Sequence, residues 1–169
     1  MSEKSLYVLA GYDEETEAKL AGIQKHLYEM GFSGTQTKDI PMHFTLGQFE
    51  SSREQELKAR LIALSESMSA FEVDFNSLGL FEHPENEVLF VRPKISVEML
   101  ELQDHFTDNI DRFPWSPHTT LLIDKPEVIE EARKVVLEEF RTFSGKVAML
   151  HLYEFWPTRH VLTVQLQKA

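Results

Sequence analysis

Two short segments, Pro41-Met42-His43-Phe44-Thr45-Leu46 and Ser116-Pro117-His118-Thr119-Thr120-Leu121, each set a histidine two residues before a threonine and follow it with leucine. In an extended strand alternate side chains share a face, so His43 and Thr45 point one way and Phe44 and Leu46 the other. His118 and Thr120 oppose Thr119 and Leu121 in the same manner. If the two strands lie side by side, two imidazoles and two hydroxyls converge on one polar cleft that suits a phosphate. Hydrolysing a phosphodiester needs a base to deprotonate water and an acid to protonate the departing oxygen. Two histidines near their ordinary pKa of about 6.5 can hold opposite protonation states at neutral pH. Thr45 and Thr120 can donate hydrogen bonds to the non-bridging oxygens, where negative charge builds up. His43 and His118 are therefore the candidate acid-base pair and Thr45 and Thr120 the candidate phosphate clamp; the residues alone leave open which histidine is the base. Gly47 is expected on the Thr45 face, with no side chain to block a ligand.

The elements that must position these groups alternate along the chain. Leu6 to Ala10 reads as a buried strand, and Leu20, Ile23, Leu27 and Met30 recur at helical spacing up to Gly31, a natural stop. A polar loop from about Gly34 to Asp39 leads to the His43 strand. Ser51 and Ser52, with Glu54 and Gln55 three residues on, resemble capping boxes for a second helix with Leu57, Leu61, Leu64 and Met68 inward. Phe71 to Phe75 alternates as a half-buried strand, and Glu87 to Val91 is a further strand closed by Pro93. Met99, Leu102, Phe106 and Ile110 outline a third helix before the His118 strand. Pro126, in the first turn after Asp124, starts a fourth helix through about Arg141. Strands over about Gly145 to Trp156 and Arg159 to Leu166 end the chain.

The order repeats. His118 follows His43 by 75 positions, and the same offset carries the second helix and its following strand onto the fourth helix and its strand. Nearer the N-terminus, Tyr7-Val8-Leu9 matches Leu89-Phe90-Val91 at an offset of 82. One domain over 1–169 made of two pseudo-symmetric halves, about 1–83 and 84–169, would bring the two motif strands together across a groove. A third His-x-Thr, His105-Phe106-Thr107, falls in a helical pattern, where residues two apart do not share a face, and reads as coincidence.

At this point a resemblance is plain. The paired segments resemble the signature of the two-histidine (2H) phosphoesterase superfamily, and the length and repeat resemble its 2'-5' RNA ligase-like branch, over essentially the whole chain. The resemblance implies an α+β, duplicated bilobal fold, with two antiparallel-rich sheets lining a central cleft and helices packed outside. It also implies metal-independent cleavage of a phosphodiester by both motif histidines. Members include 2',3'-cyclic nucleotide phosphodiesterases, RNA-end processing enzymes and 2'-5' phosphodiesterases or ligases, so hydrolysis is expected over ligation but the substrate is left open. Thr119 stands where the pattern usually has a hydrophobic residue; it is expected to face away from the site.

Composition bounds the alternatives. The 169 residues, 42% hydrophobic and 27% charged, suffice for one globular domain. No apolar run approaches the roughly 20 residues of a membrane span, and Met1 to Ser5 lacks the apolar stretch of a signal peptide, so a cytoplasmic location and no membrane contact are expected. The chain has no cysteine, which excludes disulfides, thiolate metal sites and cysteine nucleophiles. A net charge of -11 disfavours long duplex nucleic acid, whose binding rests on basic residues, and favours a small nucleotide or RNA terminus as substrate. No cofactor or metal is expected, and the protein reads as a monomer.

Further candidates for substrate contact are Arg92 and Arg159, at strand ends, and Trp115, just before the second motif, whose face could stack a base. Phe81 and Tyr153 are read as core; His83, His151 and His160 as surface or loop residues; His26 as lying on the polar side of the first helix. The alternative function is a non-catalytic nucleotide or RNA-end binding module of the same fold. A metalloenzyme ranks below it, because the segments offer threonines where carboxylates usually complete a site.

Overall fold

Phe71, Val73 and Phe75 are buried while Glu72, Asp74 and Asn76 between them are exposed, the period-2 pattern of a strand with one face on a core. The computed structural model describes residues 4–34 and 39–168. In chain order the elements are β1 (Ser5–Tyr12), α1 (Glu14–Glu29), β2 (His43–Glu50), α2 (Glu54–Ser67), β3 (Phe71–Phe81), β4 (Glu87–Pro93), α3 (Val97–Asp104), β5 (Thr119–Asp124), α4 (Pro126–Glu139), β6 (Phe143–Phe155) and β7 (Arg159–Gln165). The order β-α-β-α-β runs twice, β1 to β3 and β4 to β6, with β7 appended. Most of the polar loop expected after α1, residues 35–38, lies outside the described residues.

All strand pairs are antiparallel and the strand order is β2-β1-β6-β3-β4-β5, with β7 also on β6. The seven strands form one continuous sheet, where the resemblance implies two, and β6 holds it together: its Phe143–Val147 segment pairs with β3 and its later part with β1 and β7. The terminal strands of this order, β2 and β5, come back into contact with each other. That closure brings the two motif strands together.

One sheet face carries the core. Val8, Ala10 and Tyr12 of β1, Phe44 and Phe49 of β2, Leu89 and Val91 of β4, and Leu121 and Leu122 of β5 pack with Leu20 and Leu27 of α1, Leu57 and Leu61 of α2, and Ile129 and Val136 of α4. Fully burying each valine, leucine, isoleucine or phenylalanine among them contributes about 1.5–3 kcal/mol. The opposite face, with Tyr7, Leu9 and Gly11 of β1 and Phe90 and Arg92 of β4, looks into the cleft, since directly paired residues share a face.

Three local expectations are corrected. Ser51 and Ser52 do not cap α2: a 3-10 turn over Ser51–Arg53 leads into it, and the Ser51 hydroxyl sits between the Lys4 carbonyl (3.0 Å) and the Glu154 carboxylate (2.9 Å), tying strand ends together. The third helix stops at Asp104, and Ile110 is 45% exposed because its N–H is drawn to the Gln48 carbonyl of β2 at 2.8 Å. Met30 is exposed, and buried Gln24 takes the inner face of α1, where its amide donates to the Leu121 carbonyl at 3.0 Å.

Candidate active site

Each motif strand carries a β-bulge at the same place. Thr45 pairs with Leu9 and Gly47 with Val8, so Leu46 is the extra residue; Thr120 pairs with Phe90 and Leu122 with Leu89, so Leu121 is its counterpart 75 positions on. A bulge turns the strand and reverses the alternation beyond it. Ahead of the bulge His43 and Thr45 keep the cleft face and Phe44 the core face. Beyond it Gly47 passes to the core face, opposite Val8, where an added Cβ would meet Asn109 Cβ at 2.9 Å. Gly47 therefore leaves the Thr45 face by register but still lines the larger cavity with Thr45, and its missing side chain admits the loop after α3. The bulged Leu121 carbonyl lacks a ladder partner and is satisfied by Gln24. The pairing also equates Leu9 with Phe90, an offset of 81 where matching apolar triplets gives 82.

Both motif histidines are fixed in one way. His43 Nδ1 lies 2.7 Å from the Pro41 carbonyl and His118 Nδ1 lies 2.9 Å from the Ser116 carbonyl, each two residues upstream. A carbonyl only accepts, so each Nδ1 carries the proton and each Nε2 is left for the cleft. The approach to His43 is held from α1: the Met42 N–H donates to both oxygens of Glu17 at 3.1 Å. His118 is packed by rings, edge-on to Phe81 at 4.7 Å and tilted to Phe90 at 5.2 Å. Phe81, read from sequence as core, is 38% exposed and flanks the site.

The two imidazoles differ electrostatically. Burial lowers His43 from 6.5 to about 4; the Pro41 hydrogen bond works against this, and a proton on His118 adds to it. Burial lowers His118 as well, opposed by the Ser116 carbonyl. His43, with a like charge to repel, loses its proton first as pH rises. Among the described residues no group of three or more His, Asp or Glu side chains is placed to hold a metal ion.

Two cavities meet at Thr45. One of about 200 Å³ is lined by His43, Thr45 and Thr120 together with Tyr7 and Trp156. The other, about 680 Å³, runs past Thr45 and His118 between Phe81, Phe113 and Trp115, with the amides of Asn86, Gln103 and Asn109 and the acids Glu82 and Asp111. His43, Thr45 and Thr120 thus line one cavity, and Thr45 and His118 the other.

The family model described as the 2'-5' RNA ligase superfamily matches residues 14–155, most of the chain and both motifs. The chain belongs to the 2'-5' RNA ligase superfamily. Solved structures with the same fold include E. coli LigT in apo form (15% identity, TM-score 0.62, covering 98% of this chain and 99% of that one). TT0787 of Thermus thermophilus (14%, 0.62, covering 97% and 98%) and Kluyveromyces marxianus Usb1 (12%, 0.51, covering 96% and 98%) are similar to it as well. LigT has also been solved with 3'-AMP (14% identity, TM-score 0.60, covering 98% and 99%). No curated protein sequence matches the chain. Membership places it among phosphoesterase and RNA ligase-like proteins. No helix among the described residues is long and apolar enough to cross a membrane.

Within this member of the 2'-5' RNA ligase superfamily the remaining candidates divide. Arg92 stands on the cleft face, its guanidinium 5.4 Å from the Phe90 ring centroid. Trp115 lines the larger cavity, and its indole N–H donates to the Thr45 carbonyl at 2.9 Å. Arg159 does not reach the site: it is held by Glu54 of α2 and by Glu154 of β6, the latter at 3.1 Å, and Glu154 pairs with core-facing Leu6. Its carboxylate partners win it for the helix side of the sheet. His151, read as a surface or loop residue, is instead 7% exposed in β6. Its cleft-facing strand register was the missed signal: counting two residues back from Tyr153 puts both on one face.

Proposed function

We propose that the protein is a metal-independent phosphodiesterase that opens 2',3'-cyclic phosphates or 2'-5' phosphodiester bonds of nucleotides or RNA ends. The observation that carries this reading is the matched pair of histidines, each with Nδ1 committed to a carbonyl and Nε2 left for the cleft, beside two threonine hydroxyls. His43, the more readily deprotonated, takes a proton from water at Nε2 as the water oxygen bonds to phosphorus. His118, protonated, gives its Nε2 proton to the ribose oxygen as the P–O bond to that oxygen breaks. Thr45 and Thr120 donate to the non-bridging oxygens. The products are a phosphomonoester and a free hydroxyl, with one proton taken up and one released by the pair.

The larger cavity supports a substrate with a single phosphate next to a neutral ring. It offers Trp115, Phe81 and Phe113 as stacking surfaces and three amides for base edges, and among the described residues its lining has His83 but no lysine or arginine for a second phosphate. Hydrolysis is favoured over ligation by the concentration of water. The division into halves at 83/84, a monomeric state and a cytoplasmic location belong to the same reading. Hydrolysis of 2',3'-cyclic nucleotides and short 2'-5' linked oligonucleotides in EDTA, by wild type and by the His43→Ala/His118→Ala double variant, tests it. Turnover by wild type alone is expected; equal turnover by the double variant would exclude the two histidines. Tight nucleotide binding without product in either would favour a binding module.

A further inference from the structure

His151 stands on the same sheet face as Thr45 without lining either of the two cavities, and the strand register says what stands beside it. It lies opposite Leu9 on β1 and opposite Thr163 on β7, in the row that also contains Thr45. Its ring covers Gly11: a Cβ built on Gly11 would collide with His151 Nε2 and come within 2.9 Å of Cδ2. Gly11 pairs directly with His43, and cross-strand Cβ positions lie about 4.5–5.5 Å apart, so the Nε2 of His151 sits at the flank of His43. A proton on His43 is felt at His151, which agrees with that closeness.

The other half of the molecule has the mirror arrangement with strands exchanged. Gly11 pairs with Met149 and Arg92 with Ser77; Leu9 pairs with His151 and Phe90 with Gly79. Arg92 therefore occupies the place of Gly11, and Gly79 the place of His151. A Cβ on Gly79 would collide first with the Phe90 ring and would also lie 2.9 Å from the Arg92 guanidinium. Gly11 makes room for the His151 ring beside His43, and Gly79 makes room for the Phe90 ring that packs on His118, with the Arg92 guanidinium lying against both.

The hydrogen bonding of His151 leaves one nitrogen for a ligand. Nδ1 is 2.8 Å from Thr163 Oγ1, which is 2.7 Å from His160 Nε2. When His160 donates to Thr163 and Thr163 to His151 Nδ1, the His151 proton falls on Nε2, and this is the tautomer that the role below requires. This Nε2 has no hydrogen-bond partner among the described residues and keeps contact with solvent, since none of their side-chain nitrogens or oxygens is both fully buried and unpartnered. We propose that His151 is a substrate-binding residue that donates Nε2–H to a non-bridging oxygen of the phosphoryl group between His43 and His118, as the counterpart of Arg92. The inference rests on the phosphodiesterase reading of the same cleft.

The test is ¹⁵N imidazole spectroscopy of the full chain titrated with inorganic phosphate and with a nucleoside 3'-monophosphate, alongside kinetics of His151→Leu and His151→Gln. Expected are a phosphate-dependent shift of His151 Nε2 in its protonated form, and for His151→Leu a roughly tenfold to hundredfold rise in KM, the worth of a lost donor to a charged oxygen. His151→Gln, which keeps an N–H donor, recovers part of it. Shifts at His43 and His118 with none at His151, or a KM unchanged in His151→Leu, would overturn this role while leaving the cleft's. Absence of any shift at all three would overturn both. Because the spectroscopy uses wild type, a His151→Leu chain that fails to fold still leaves the spectra to decide.

Discussion

The hydroxyls of Tyr12 and Thr119 lie 2.6 Å apart, both residues buried, one at the end of β1 and the other at the start of β5. This bond ties the strand neighbouring the His43 motif to the strand of the His118 motif, and it explains why the second motif carries a threonine at a position that faces the core. Thr119→Val leaves the Tyr12 hydroxyl buried without a partner and is expected to cost about 1–3 kcal/mol. Tyr12→Phe alone does likewise, while the double variant loses less than the two single losses together. Chemical denaturation of the four proteins measures the coupling; strict additivity would mean the bond contributes nothing.

Loss of either motif histidine removes one proton-transfer partner. His43→Ala and His118→Ala are each expected to reduce kcat/KM by roughly 10²–10⁴-fold. In the wild type, kcat/KM should follow a bell whose acid limb reflects His43 near pH 4 and whose alkaline limb, from His118, lies below 6.5. A maximum above pH 7.5 on a cyclic nucleotide would contradict the assignment of base and acid.

Stability should carry the same signature. His43 binds its proton less readily folded, at about 4, than unfolded, at 6.5, so in between the unfolded state holds more protons. Its contribution is fully present above 6.5 and falls as pH drops toward 4, by at most about 1.4 kcal/mol per pH unit. Melting curves of wild type and His43→Ala across pH 4 to 7 should converge toward the acid end; parallel curves would show an imidazole with ordinary titration.

Asp108 is gripped by two arginines of the α2 region, Arg53 at 2.6 Å and Arg60 at 2.9 Å, which hold its carboxyl well below the usual carboxylate range. The loop it anchors contributes Asn109, Asp111, Phe113 and Trp115 to the larger cavity. Asp108→Asn is therefore expected to raise KM several-fold with kcat nearly unchanged, an effect that 0.5 M salt on the wild type partly reproduces because the pairs are exposed. Steady-state kinetics at two salt concentrations measures it, and a fall confined to kcat would place the loop's role elsewhere.

Chelation gives the last comparison. Wild-type activity in EDTA should match activity without it, since the proposed steps use only imidazole and hydroxyl groups; a loss restored by added divalent metal would refute the metal-independent reading.

What the sequence determined by itself is local and periodic. The His-x-Thr spacing put each imidazole and hydroxyl on one strand face, the apolar spacing of Leu20 and Leu27 and of Leu57, Leu61 and Leu64 set helix faces, and the 75-residue repeat paired Leu46 with Leu121 as well as the motifs. Neither bulge is legible there, because a bulge is a mismatch of register between two strands and leaves no mark in either one's alternation until its partner is known. For that reason alternation alone puts Gly47 on the wrong face. The tertiary structure alone decided which distant charges meet. Arg92 and Arg159 look alike at strand ends, yet one lies over the Phe90 ring on the His118 side and the other is taken by Glu54 and Glu154. His151 has no motif at all; it joins His43 only because β1 lies between β2 and β6 and gives up a side chain at Gly11. Strand face follows from residue type and period, whereas the meeting of side chains from separate strands depends on pairing order, which only the folded sheet sets.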